Sequence, residues 1–233
     1  MNFKISCQIL QNYENLVIGV LAVKNIDNSG SDPEITTLLR EAEKCVRETP
    51  GIEPVNSYPK IESWREAHKK FGSNPKKAAP SVQAIVRRVV KGGQLPNINK
   101  LVDLYNAISL KYVITAGGED LDKCVGDIQL AYADGSEEFV ELGATENNPP
   151  EPGEVVYKDD NGVICRKFNW READRTKLTE ETKNAVLVLE GLPPVTREEI
   201  EQALQELKEL VEKYCGGEVE SIILDKNNTS CGS

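Results

Sequence analysis

The sequence predicts a single mixed domain of the α+β class. Three observations predict it. Helical spacing of apolar residues dominates from residue 33 to 112, and short apolar runs separated by turn residues follow from 125 to 189. One more amphipathic helix then precedes a last apolar run at 219–224. With 233 residues, the chain is long enough to bury one large core.

Residues 1–57 are predicted to contribute a strand and a helix that are integrated with this core. Residues 15–23 are a nearly continuous apolar run, which is typical of a buried strand. Ser31 or Asp32 can cap a helix that starts at Pro33, where proline is favourable, and runs to about Glu48.

Residues 58–192 are predicted to form the main core, beginning with two helices at 61–71 and 81–91. The first helix carries Trp64 and His68 four residues apart, so the two share a face. We interpret His68 as a packing or hydrogen-bonding residue, with a contact to RNA phosphate as the alternative. Ser81 is predicted to cap the second helix, and Gly92 and Gly93 end it.

The helix predicted at 96–112 is the one around which the chain is organised. Pro96 stops the preceding segment, and Asn97 can cap the helix. Its apolar stripe consists of Ile98, Leu101, Val102, Tyr105 and Ile108, and a second, polar face carries Asn99, Asp103 and Asn106.

The later elements are marked by turn residues. Strands are predicted at 125–132, 138–142, 154–157, 163–168 and 185–189, and residues 159–162 read as a hairpin turn. Residues 193–226 are predicted to form a helix and a strand that pack on the core. Thr196 and Glu199 have the spacing of a capping box for that helix, and residues 227–233 are predicted to fray.

The charge is unevenly distributed. The net charge is −10, but residues 60–100 hold ten basic and two acidic residues, a net +8. Such a block suits a nucleic-acid contact, although a solvated face without a partner would look the same. The residues predicted to contact RNA are Lys69, Lys70, Lys76, Lys77, Arg87, Arg88 and Lys91.

Several classes of chemistry lack their signatures. The six cysteines show no CxxC spacing, His68 is the sole histidine, and no phosphate-binding loop or nucleophile elbow is present. We therefore expect no metal ion and no cofactor. No apolar run approaches the ~18 residues of a membrane span, and residues 1–10 lack a secretory signal. We expect a cytoplasmic protein without a membrane partner.

Residues 169–190 hold the densest polar pattern. Arg171, Asp174 and Arg175 form an opposite-charge cluster that leads into an apolar strand ending in Glu190. Two interpretations stay open. The cluster can be a salt-bridged turn, or it can bind a zwitterionic or sugar-phosphate ligand through its carboxylates and guanidinium groups.

Four segments together resemble a known family. These are residues 80–110, the run Val125-Gly126-Asp127-Ile128, the run Gly153-Glu154-Val155-Val156, and the pattern RxxDRTxxTxxTxNAVLVLE at 171–190. The set resembles the B3/B4 domain of the bacterial phenylalanyl-tRNA synthetase beta subunit, and in particular freestanding proteins that consist of little else.

The resemblance implies helices around a β-sandwich-like centre and an editing activity. In the synthetase this domain hydrolyses tyrosine wrongly attached to the phenylalanine tRNA. An asparagine of the family pocket matches Asn106, and a glutamate that discriminates the side chain falls, by register from Thr182, on Glu190. The predicted substrate-binding set is Asn106, Ser109, Arg171, Asp174, Arg175, Thr179 and Glu190.

This chain departs from the family at two places. The family histidine about eleven residues after the asparagine falls on Gly117, and a Gly-Gly turn is replaced by Arg171 and Glu172. The resemblance still implies a deacylase that acts in trans on a mischarged aminoacyl-tRNA by positioning water, without a nucleophilic residue and without being a complete tRNA ligase. A non-catalytic module that binds tRNA or an amino-acid-like ligand is the alternative, and a small-molecule hydrolase is a third hypothesis. DNA is not an expected partner.

Overall fold

The structure is a computed structural model that describes residues 2–232, and the side chains of residues 2–230. Its α-helices are α1 (Cys7–Asn12), α2 (Pro33–Glu48), α3 (Pro59–Lys70), α4 (Ser81–Val90), α5 (Lys100–Tyr112) and α6 (Arg197–Tyr214). Its strands are β1 (Asn2–Ile5), β2 (Val17–Lys24), β3 (Thr115–Asp120), β4 (Ile128–Tyr132), β5 (Val155–Asp159), β6 (Gly162–Arg166), β7 (Arg171–Glu172), β8 (Ala185–Gly191), β9 (Glu218–Leu224) and β10 (Ser230–Gly232). Among residues 2–232, no helix is long and apolar enough to cross a membrane.

Two sheets form the centre of the molecule. The first sheet has the order β10-β1-β4-β5-β6-β7, in which β1 and β4 run parallel and the other neighbours antiparallel. The second sheet is antiparallel throughout, with the order β3-β8-β2-β9. The predicted class, a single mixed domain with helices around a sandwich-like centre, is confirmed.

Two hydrophobic cores cover the two faces of the second sheet, and the first of them joins the two sheets. One core joins Phe3, Ile128 and Tyr157 of the first sheet to Val20 and Val186 of the second. The other core packs α5 and α6 on the opposite face of the second sheet, where the apolar residues alternate with those of the first core. The second sheet is therefore buried on both faces, which explains the continuous apolar runs of β2 and β8.

The predicted boundaries between residues 1–57, 58–192 and 193–226 remain predictions. Strands from all three segments share the second sheet, because β2 lies between β8 and β9.

Capping decides where most helices begin. Asp32 accepts the backbone N–H of Glu34 at the start of α2, and Thr196 and Glu199 form the predicted capping box of α6. The prediction for α5 was wrong by two residues, since Asn99 and not Asn97 accepts the backbone N–H of Val102.

Four further local predictions were wrong. Ile98 precedes α5 and is 53% exposed, because the helix starts only after Asn99. Pro80, not Ser81, is the cap position of α4. The run 138–142 pairs only through isolated bridges at Val140 and Glu141. The tail does not fray up to residue 232, since β10 pairs with β1; residue 233 lies outside the described part.

An ion pair lies buried between the last residue of β6 and the residue before β5. The Arg166 Nε and Nη2 atoms donate to the two carboxylate oxygens of Glu154 at 2.8 and 2.7 Å, and the two side chains are 5% and 4% exposed. Arg166 also donates to the carbonyl of Asn148, and the Lys167 N–H donates to Glu154. The two parallel hydrogen bonds pair the guanidinium group with the carboxylate, and such geometry is what offsets the desolvation cost of a buried ion pair.

We expect Arg166→Ala to lower the free energy of unfolding by about 3–5 kcal/mol, because it leaves the Glu154 carboxylate buried and unpaired. Urea unfolding at pH 7 measures the change. The matched control is Lys44→Ala, which removes an exposed pair with Glu48 and should change stability by less than about 1 kcal/mol. Equal losses in the two variants would contradict this account.

Candidate functional site

A small, partly open cavity of about 30 Å³ lies between the two sheets. Both sheets contribute to its wall, together with the first residue of α4 and the segment after β6. Its polar lining residues are Ser81, Glu119, Tyr157, Cys165, Asn169, Glu172 and Glu190. Of the residues that the structure describes, those lining the cavity include three carboxyl groups and no Lys, Arg or His.

Glu190 is the most fully hydrogen-bonded of the three carboxyl groups. It lies near the end of β8 and is 1% exposed. The Tyr157 hydroxyl donates to its Oε1 atom at 2.5 Å, and the Thr115 hydroxyl and Asn169 Nδ2 each donate to Oε2 at 2.9 Å. A carboxylate has about four acceptor positions, so one position, on Oε1, is left for a ligand.

Burial raises the pKa of Glu190 to about 7, against the lowering effect of its three donors. The same carboxylate and the buried setting raise the pKa of the Tyr157 phenol. Near neutral pH, Glu190 can therefore change its charge while its donors stay neutral.

Asn169 is held in place from its other side. The His68 Nε2 atom lies 3.2 Å from Asn169 Oδ1, and its Nδ1 atom lies 3.2 Å from the carbonyl of Ala78. Burial lowers the pKa of His68 to about 4, so the ring is neutral and carries one N–H. An Nε2–H tautomer donates to Asn169 and leaves the Asn169 amide N–H for Glu190.

The turn that carries Asn169 is strained. Lys167 and Phe168 both have positive φ angles, 51° and 70°, and the Asn169 N–H donates to the carbonyl of Lys167 at 2.9 Å. Left-handed backbone costs about 1–3 kcal/mol per non-glycine residue and persists where the surroundings enforce it. Glu154 enforces it here through its bond to the Lys167 N–H.

The wall beside Glu190 is built by β3. Thr115, Gly117 and Glu119 alternate along this strand and lie opposite Glu190, Val188 and Val186 of β8. A Cβ atom added at Gly117 would lie 3.2 Å from Glu172 Oε1. Gly117, which the resemblance aligns with a histidine, has the Glu172 carboxyl group beside it.

Cys165 lines the same cavity but is not suited to nucleophilic attack. The thiol is 4% exposed, and burial together with the neighbouring Glu172 and Glu119 carboxyl groups raises its pKa well above the usual value. The thiolate, which is the reactive form, is therefore disfavoured.

Of the seven predicted substrate residues, only Glu190 lines this cavity. Asn106 is not among the residues that line the cavity. Asn106 is half-buried on α5, a helix whose Leu104 and Ile108 pack on the opposite face of the second sheet. The Ser109 hydroxyl is also occupied, since it donates to the carbonyl of Ile114 at the end of α5.

The predicted cluster after β6 is a set of ion-paired turns. Arg171 Nε lies 3.0 Å from Glu141, and Asp174 accepts from Lys177 and from the Gly143 N–H. The Arg175 Nη1 and Nη2 atoms donate to the two carboxylate oxygens of Asp159 at 2.9 and 2.5 Å. Thr179 accepts from the Glu181 N–H within its own turn. Their roles in substrate binding stay predictions.

The predicted RNA-contact residues all reach the surface. Lys69, Lys70, Lys76, Lys77, Arg88 and Lys91 are exposed and Arg87 is half-buried. Lys76 and Lys77 belong to the segment between α3 and α4, which ends at the cavity-lining Ser81.

Sequence reasoning missed the cavity residues other than Glu190. The alternation of Thr115, Gly117 and Glu119 is a period-two signal of a strand with one polar face, although the adjacent glycines obscure it. Asn169 and Tyr157 carry no local signal, because their partner Glu190 is 21 and 33 residues away.

The fold and the cavity define a sandwich-centred α/β domain with an acidic site between its sheets. The family model of the B3/4 domain matches residues 63–216, which is more than half of the chain. The chain belongs to the B3/4 domain family, as the sequence motifs predicted.

Among solved structures, the chain is similar to an N-terminal fragment of the phenylalanyl-tRNA synthetase beta subunit from Pyrococcus horikoshii. The identity is 12%, the TM-score is 0.49, and the match covers 96% of this chain and 54% of that one. This chain thus spans about half the length of that fragment. No curated protein matches the sequence.

The raised pKa of Glu190 predicts a pH-dependent stability. Between the usual value of 4.5 and about 7, the folded chain keeps a proton that the unfolded chain has lost. This group's contribution therefore declines as pH rises through that range, by up to about 1.4 kcal/mol per pH unit. Glu190→Gln should remove this decline, which urea unfolding at several pH values measures.

Glu220→Gln, on the exposed side of β9, should give a curve parallel to that of the wild type. The account fails if the Glu190→Gln curve also runs parallel to the wild type from pH 4.5 to 7.

Proposed function

We propose that this protein is a trans-acting aminoacyl-tRNA deacylase, which hydrolyses the ester between an amino acid and the terminal ribose of a mischarged tRNA. The observation that carries the proposal is the charge arrangement of the site. The cavity is lined by carboxyl groups, while exposed lysines lie on the segment that leads to it. An aminoacyl-tRNA end has the complementary arrangement, with an ammonium and hydroxyl groups at its tip and phosphates behind.

Glu190 is the residue proposed to discriminate between amino acids. Its remaining acceptor position can take a hydrogen bond from a polar group of the side chain or from the ammonium group. An isosteric amino acid without that group would leave this buried acceptor unpaired, which costs far more than the loss of a methylene contact.

Hydrolysis in this site needs positioning more than a nucleophile. The aminoacyl ester is already activated, and a bound water held against it gains the advantage of proximity. Of the two cavity side chains that could attack directly, the Cys165 thiol has a raised pKa, and the Ser81 hydroxyl has no hydrogen-bond partner among the described residues. The ring nitrogens of His68 face Asn169 and the carbonyl of Ala78 instead.

The proposal predicts release of amino acid from at least one member of a panel of aminoacyl-tRNAs that includes tyrosine attached to phenylalanine tRNA. Glu190→Ala should lower kcat/KM for that substrate by at least about tenfold, the effect of losing one buried hydrogen bond of ~1.4 kcal/mol or more. Glu220→Gln serves as the control with unchanged rate.

Asn106→Ala, measured in the same deacylation assay, tests the residue assigned to substrate binding by the family resemblance.

Retardation of tRNA without release from any member of the panel would favour the non-catalytic binding module instead. Hydrolysis of free amino-acid esters at the same rate as aminoacyl-tRNA would favour a small-molecule hydrolase.

The exposed basic residues predict a salt-dependent affinity. Log affinity for tRNA should fall linearly with log salt concentration, since phosphate contacts release counterions. Replacing Lys76 and Lys77 together by alanine should make that slope shallower by up to about two units. Lys44 and Lys208, on α2 and α6, are matched lysines outside the block, and their alanine variants should keep the wild-type slope.

A further inference from the structure

The two carboxyl groups beside Glu190 form a separate pair. Glu119 of β3 is 7% exposed, and Glu172 of β7 reaches the same space from the first sheet. Both carboxyl groups line the same cavity, and each affects the ionisation of the other. Within residues 2–230, no N–H or O–H donor reaches the Oε2 atom of either residue, although both atoms are buried.

Two carboxyl groups buried in one cavity whose described lining holds no cation favour sharing a proton. Two carboxylates there would repel each other, so one proton stays on the pair and the second ionisation is suppressed. Burial raises the pKa of both groups; Glu172 raises the pKa of Glu119 further, whereas Glu119 lowers the pKa of Glu172, so the proton is favoured on Glu119.

The surroundings of the pair reinforce this state. The titratable groups that act on it are Tyr105 of α5, Cys124 before β4, Tyr157 of β5, Cys165 of β6 and Glu190 of β8. All of them are neutral or negative, and the described cavity lining supplies no positive charge. The pair therefore holds one ionised and one protonated carboxyl group at once, which is the combination that general acid–base catalysis uses.

The pair faces the cavity for a steric reason. Gly117 has no side chain, and any Cβ atom there would lie 3.2 Å from Glu172 Oε1. The glycine thus leaves room for the Glu172 carboxyl group between β3 and β7, next to Glu119.

We propose that Glu119 and Glu172 are the general acid–base pair of the hydrolysis, an inference that rests on the proposed function. The ionised carboxylate takes a proton from water while the water oxygen bonds to the ester carbonyl carbon. The protonated partner then gives its proton to the ribose oxygen as the carbon–oxygen bond breaks. The products are the free amino acid and the ribose hydroxyl, and the pair again holds one proton.

The test is single-turnover deacylation by the full chain, with whichever aminoacyl-tRNA of the panel the wild type hydrolyses. Glu119→Gln and Glu172→Gln should each lower the rate constant of hydrolysis by about 10²–10⁴-fold, the usual contribution of proton transfer. Neither should change the Kd for the uncharged tRNA. Glu220→Gln is the matched control with the wild-type rate.

The pH profile separates catalysis from a structural role. The wild-type rate should be bell-shaped, falling when the pair gains a second proton and again when it loses the shared one. Each glutamine variant should lose this shape, and Glu172→Asp should restore part of the rate together with the bell.

Carboxyl carbon NMR of the wild-type protein gives a readout that needs no variant to fold. The pair should show two widely separated titration steps and keep one proton at pH 7. Independent titration of Glu119 and Glu172 near their usual pKa overturns the proposal. A wild-type rate constant and pH profile in both glutamine variants would also overturn the proposal.

If the wild type hydrolyses no aminoacyl-tRNA, the proposed function fails and the role of the pair fails with it. Hydrolysis that survives both substitutions contradicts the role of the pair but leaves the proposed function unaffected.

Discussion

The structure depends on one buried carboxylate that ties its two sheets together. Glu190 belongs to the second sheet, and its shortest hydrogen bond comes from Tyr157 of the first. A carboxyl group at 1% exposure is costly unless donors replace water, and the three donors here come from β3, β5 and the turn after β6. Because each donor belongs to a different element, the Glu190 carboxyl group receives all three hydrogen bonds only when the strands of both sheets pair in the native register.

The same constraint extends outward through Asn169. Its amide can reach Glu190 only if the chain turns sharply after β6, and that turn places two non-glycine residues in left-handed backbone. The buried Arg166–Glu154 pair stabilises the turn, and His68 fixes the amide from the far side. A chain of polar contacts thus runs from the ion pair at the end of β6 to the cavity. These contacts offset the desolvation cost of burying the polar groups together.

The sequence was informative where local chemistry decides the outcome. The caps at Asp32 and Thr196 define α2 and α6, and the turn at residues 159–162 defines the β5–β6 hairpin. The family motifs led to Glu190, which does line the cavity.

The sequence was uninformative where distant elements meet. Helical periodicity placed Asn106 on a polar face of α5, but it could not show that Asn106 stays outside the lining of the cavity. The charged cluster at 171–175 fitted either a salt-bridged turn or a ligand site, and in the structure its charged groups pair with Glu141, Lys177 and Asp159. The pairing of Glu119 with Glu172 joins residues 53 positions apart, and no local pattern signals it.

The close approach at Gly117 has a consequence for how such a site can diverge. A larger residue at position 117 and a glutamate at position 172 compete for the same volume, so the cost of changing one depends on the identity of the other. An imidazole introduced at 117 first would require the Glu172 carboxyl group to shift, whereas a shorter residue at 172 would remove that contact beforehand. The effects of substitutions at the two positions are therefore expected to be non-additive.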